Sequence, residues 1–122
     1  MNKEIADFTI SLIAKKEGFN EKCIYVYSRE GKLSNCSFSI EKGIIEFYPQ
    51  NFNSDGYLYS QNVMCSAPTY IQLIDWVFAV SKLKENTFEW LRDWNSIFKG
   101  CPLEHEFKGR FLDWFSYKQK KH

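Results

Sequence analysis

The stretch Ser66-Ala67-Pro68-Thr69-Tyr70-Ile71-Gln72-Leu73-Ile74-Asp75-Trp76-Val77-Phe78 constrains this chain more than any other. Tyr70, Leu73, Ile74, Val77 and Phe78 recur at helical spacing, and Ile71, Trp76 and Val80 widen the face they make. A helix apolar around so much of its circumference has to be buried centrally or contacted on two sides. Pro68 suits the first helical position, where a backbone N–H has no intrahelical partner anyway. Ser66 or Ala67 is then the residue before the helix, with Thr69 as the competing N-cap.

The segments on either side follow from their own periods. Residues 3–17 predict an amphipathic helix, with Ile5, Phe8 and Leu12, joined by Thr9 and Ile13, on one face. Lys3, Glu4, Asp7, Lys15 and Lys16 take the other, acids near the start and lysines near the end, as the helix dipole favours. Gly18 is a natural stop, and Phe19 can pack back on the last turn. From Cys23 the pattern changes to short runs rich in β-branched and aromatic residues: Cys23 to Ser28, Asn35 to Ile40, and Ile44 to Tyr48 before Pro49. Glu30-Gly31-Lys32 and Glu41-Lys42-Gly43 are turn signals between them, and 57–59 with 62–65 can add a further short strand. These connections are too short for crossover helices, so the strands read as an antiparallel meander. After the Pro68 helix, Asn86-Thr87 caps a helix running through Phe98, Gly100 stops it, and Pro102 permits a last helix from about Leu103. There Leu103, Phe107, Phe111, Trp114 and Phe115 share a face. The expected fold is α+β: an N-terminal helix, a three- to four-stranded antiparallel meander, then two to three C-terminal helices. No repeat or linker breaks residues 1–122, so a single domain is expected.

Composition narrows the function classes. Sixteen basic and fifteen acidic residues leave a net charge of +1, which argues against a dedicated duplex-DNA binder held by phosphate neutralisation. No apolar run reaches the ~20 residues a membrane helix needs, and the acid-containing N-terminus lacks a signal-peptide core, so a cytoplasmic protein with no membrane contact is expected. The four cysteines, Cys23, Cys36, Cys65 and Cys101, contain no C-x-x-C pair, and their spacings of 13, 29 and 36 residues match no zinc module. They read as small buried hydrophobes, and no metal or cofactor is expected.

Catalytic motifs are missing. The six glycines are scattered singly, and neither G-x-S-x-G nor H-E-x-x-H occurs. His105 sits between Glu104 and Glu106, which are sequence neighbours without being helical ones. Cys65 and Cys101 precede helices and can feel a positive dipole end, but no motif ties a histidine to either. The acid pairs Glu85/Glu89 and Glu89/Asp93 read as solvated helix faces. No enzyme activity is therefore expected. Eleven Phe, seven Tyr and four Trp first suggest a core built from rings, yet four tryptophans exceed what such a core commonly needs, which favours an interface or a dimer. Trp90, Arg92, Trp94 and Phe98 form the candidate partner-binding patch, the aromatic–arginine type that anchors protein partners. The alternative is stacking of single-stranded nucleic acid on Tyr25, Tyr27, Phe47, Tyr48, Tyr57 and Tyr59. There Arg29, Lys32 and Lys42 are offset by Glu30, Glu41, Glu46 and Asp55.

Leu12-Ile13-Ala14-Lys15-Lys16-Glu17-Gly18-Phe19-Asn20-Glu21 resembles the opening of small, functionally uncharacterised proteins from phages and mobile elements of Bacteroidetes. Ser66-Ala67-Pro68-Thr69 is similar to the Ala-Pro-Thr that opens their next helix, and Trp90-Leu91-Arg92-Asp93 to the Trp-Leu-Arg-Glu that follows. Here about twenty residues separate Thr69 from Trp90, more than in that family, so either this chain has an added helix or Trp76 is the equivalent position. The resemblance spans roughly residues 5–94 and implies a mobile-element origin without an activity. The resulting expectation is a non-enzymatic interaction protein that docks a protein partner: a host factor, a defence component or its own copy. The alternative is a single-stranded nucleic-acid-binding module.

Overall fold

Helix, then strands, then helices follow one another along the chain, so the fold is α+β. The computed structural model describes residues 5–35, 38–41, 44–47, 51, 53 and 63–120. The chain divides into two compact units, Met1–Thr69 and Tyr70–His122.

In the first unit, α1 covers Phe8–Lys16. It starts later than its periodicity predicts because Asp7 acts as the N-cap, its carboxylate accepting from the Ile10 N–H at 2.8 Å. Ile5 and Ala6 are drawn off into pairing with the chain ahead of the next helix. Ile5 bridges Thr69, and the Ala6 N–H donates to the Pro68 carbonyl at 2.8 Å. The buried face is rotated accordingly: Ile10, Ser11 and Ala14 are inside, while Phe8 and Leu12 are half-buried against Tyr27, Cys65 and Ala67. The stop is as the sequence predicts. Gly18 has φ +99°, its N–H donates to Lys15 O at 3.1 Å, and the Phe19 N–H donates to Ala14 O at 2.8 Å. That is a Schellman closure, and Phe19 is buried behind it.

Five strands follow: β1 Tyr25–Ser28, β2 Leu33–Asn35, β3 Phe38–Glu41, β4 Ile44–Phe47 and β5 Val63–Ala67. Among the described residues all pairings are antiparallel. β1 is central in a three-stranded sheet ordered β2-β1-β5, whereas β3 and β4 pair with each other. The run Asn35 to Ile40, expected as one strand, is thus shared between the end of β2 and the start of β3. Val63 to Cys65, within the segment expected at 62–65, open β5, which continues through Ser66 and Ala67, opposite Val26 and Tyr25. Pro68 therefore stands outside the helix it was expected to open, and Thr69 is the residue before it. Pairing with β1 keeps Ser66 and Ala67 extended, and the helix starts two residues after Pro68.

The second unit contains α2 Tyr70–Ser81, α3 Thr87–Ile97 and α4 Glu104–Lys120. Tyr70, Leu73, Ile74, Trp76 and Val77 of α2 are buried, in keeping with its wide apolar face. Trp76 packs edge-on against Trp90 and Trp94, and those two pack edge-on against each other, with centroids 5.7–6.0 Å apart. The Trp90 indole N–H donates to the Val77 carbonyl at 2.9 Å, so the polar edge of a buried ring is satisfied. Phe98 stacks on Phe107 at 4.9 Å, and Phe78 packs at a tilt against Phe107 at 4.9 Å. Outside this core Arg110 lies over Phe78 and bonds Asp75 at 2.7 Å, tying α4 to α2. Among the described residues no helix is long and apolar enough to cross a membrane.

Candidate functional site

Trp90, Trp94 and Phe98 are core residues, which corrects the expectation that they form an exposed patch with Arg92. They are 8%, 1% and 0% exposed. The reason is helical spacing: 90, 94 and 98 lie four apart, one above another on the face of α3 that meets α2 and α4. Arg92 is on the far side, exposed, with its guanidinium 3.4 Å from Asp93 and 5.9 Å from the Phe88 ring. One arginine without its rings is no anchor.

The exposed aromatic surface lies instead where the second half of α4 passes the first turn of α3. Phe98, just after α3, stacks on Phe107, and Phe88 in the first turn of α3 meets Phe111 and Phe115, so the two helices run antiparallel. Burial fades along α4: Phe107 is fully buried, Phe111 is half-buried against Phe88 at 5.9 Å, Trp114 is half-buried beside Phe111, and Phe115 is exposed. A groove of about 430 Å³ results, with Glu85, Phe88 and Glu89 on one wall and Trp114, Phe115 and Lys118 on the other. Phe88 and Phe115 are 44% and 41% exposed and 6.1 Å apart, so two neighbouring rings stand at the surface. Leu112 and Tyr117, each 56% exposed, extend the apolar surface of the same helix.

The other candidates are not gathered into a site. His105 is exposed, and its neighbour Glu104 is occupied in accepting from the Gly100 N–H at 2.8 Å. The Cys101 thiol donates to Ile97 O at 3.6 Å. Cys65 is buried in strand β5, and burial pushes its thiol up to about 11, so it is protonated at neutral pH and lacks the thiolate a nucleophile needs. Cys23 is buried as well, as a small hydrophobe would be, and Cys36 lies outside the described residues. Among the described residues no three His, Cys, Asp or Glu side chains come together as metal ligands do. Glu85, Glu89 and Asp93 are exposed, as expected of solvated faces.

The aromatic sheet reading loses one of its rings. Tyr27 is 7% exposed, and its hydroxyl donates to the Ala6 carbonyl at 2.6 Å, so its face is taken by the core. Tyr25 is half-buried against the same cluster. Tyr48, Tyr57 and Tyr59 lie outside the described residues, and of Phe47 the strand position alone is described.

Sequence reasoning placed Phe111, Trp114 and Phe115 on a packing face and missed that this face reaches the surface at Phe115. Compared with protein-family models, curated proteins and solved structures, the chain finds no match.

Proposed function

We propose that this is a non-enzymatic interaction protein of phage or mobile-element origin that docks a protein on the groove between the start of α3 and the end of α4. One observation carries the reading: the apolar stripe of α4 reaches the surface beside the first turn of α3, where the exposed rings of Phe88 and Phe115 line an open groove together with Trp114. Aromatic side chains dominate the energetics of protein interfaces, and Trp114 and Phe115 are held by a helix whose first half is anchored in the core. The similarity of residues 12–21, 66–69 and 90–93 to small mobile-element proteins supports the origin. The test is a photo-crosslinking residue at position 115, compared with one at Lys99, which is also exposed. A protein adduct, identified by mass spectrometry, is expected at 115 and not at 99, and it should disappear when Trp114 is replaced by Asp. No adduct at 115, or equal adducts at both positions, refutes the reading.

A further inference from the structure

We infer that the occupant of the groove is a second copy of the same chain, paired about a two-fold axis that runs along the groove; this rests on the reading of the groove as a protein-docking surface. The two walls differ in charge. Glu85 and Glu89 stand on the α3 side and Lys118 on the α4 side, with Phe88, Trp114 and Phe115 between them. Arg92 pairs with Asp93 and Arg110 with Asp75, and among the described residues Glu85, Glu89 and Lys118 take part in no salt bridge. Glu89 accepts a hydrogen bond from the Asn86 side chain at 3.2 Å, which leaves its charge uncompensated.

A closed dimer turns one face onto its own copy. A two-fold across the groove would set acid on acid and lysine on lysine. A two-fold along the groove sets each wall over the opposite wall of the other copy, so that Lys118 of each chain meets Glu85 and Glu89 of the other, twice. The exposed ring of Phe115 and the half-buried ring of Trp114 then meet their own counterparts near the axis, and Leu112, one turn before Phe115 and 56% exposed, lengthens the apolar strip. Like-charge juxtaposition in a desolvated interface is costly and opposite charge fixes register, so the charge layout selects the second arrangement. A foreign protein has to supply a matching layout of base, ring and acid. This chain already carries it.

The experiment is sedimentation velocity of the full chain across the micromolar range. A monomer–dimer equilibrium is expected for the natural sequence. Lys118→Glu should weaken it by ~tenfold or more, as should the double change Glu85→Lys/Glu89→Lys. The triple variant, with both walls reversed, should return to within ~threefold of the natural affinity. All three residues are exposed, so far-UV circular dichroism should be unchanged. If a variant nonetheless misfolds, the ionic-strength dependence of the natural chain decides: dimerisation should weaken as salt rises, and insensitivity to salt overturns the register. A natural chain that is monomeric throughout, or a triple variant as weak as its parents, also overturns the proposal. Monomeric behaviour together with a residue-115 adduct to a different protein removes the self-association alone. Monomeric behaviour with no adduct at all removes the docking reading with it.

Discussion

Replacing Trp94 by Ala tests whether the tryptophans of α3 belong to the core or to a docking surface. The ring is 1% exposed, and it meets Trp76, Trp90 and Phe98 at centroid distances of 6.0 Å each. Truncating a buried Trp or Phe to Ala typically costs ~3–5 kcal/mol, the lost transfer energy plus the cavity left behind. Up to ~0.5–1.5 kcal/mol per ring pair of this comes from edge-on geometry beyond area burial. Phe115, 41% exposed, sets the contrast: its truncation should stay within ~1 kcal/mol, as surface changes usually do. The assay is urea unfolding followed by far-UV circular dichroism, with both variants and the natural chain extrapolated to water. The expected result is a large loss for Trp94→Ala and a small one for Phe115→Ala. If Trp94→Ala costs under ~1 kcal/mol, or no more than Phe115→Ala, the indole is not packed as described. The site would then return to α3.

Three further outcomes are expected. Gly18→Ala places a side chain at φ +99° with no atom within 4 Å to clash with it; the cost is therefore backbone strain alone, ~1–2 kcal/mol in the same unfolding assay, and a neutral result refutes the Schellman closure. Tyr27→Phe deletes the donor that reaches the buried Ala6 carbonyl at 2.6 Å, should cost ~0.5–1.5 kcal/mol, and should speed amide exchange of residues 5–7, while unchanged protection would sink the idea that this bond pins the N-terminal segment. The raised Cys65 titration has a sign: above the ordinary value of 9.0 the unfolded thiol gives up its proton while the folded one keeps it to about 11, so stability falls as pH rises through that window. The difference between natural chain and Cys65→Ala should show that decline, and below pH 9 it should be flat; a pH-independent difference throughout contradicts the burial of the thiol.

Local rules carried most of the architecture. Gly18 and Phe19 fold into their closure from sequence neighbours alone, which is why that helix end was legible before any contact was known. The face of α2 was legible too, since Leu73, Ile74 and Val77 lie at spacings that only one buried stripe satisfies. The α3 site failed for a physical reason: Trp90, Trp94 and Phe98 look alike whether a helix presents them to a neighbour or to water, because period specifies a face and not what covers it. Three apolar residues four apart define a stripe in either case.

By itself the sequence determined the order of helix, strands and helices, the stops and the apolar faces, because each is set by backbone conformation and side-chain period within a few residues. Tertiary structure alone decided that β5 returns to the far edge of β1, holding Ser66 and Ala67 in a strand and leaving Pro68 outside the helix it was expected to open. It likewise decided which rings of the second unit face inward. Trp76, Trp90 and Trp94 close on one another because α2 and α3 meet there, while Phe115 stays exposed beside Phe88 at the first turn of α3. Exposure is a property of two surfaces at once, so no single stretch of sequence contains it.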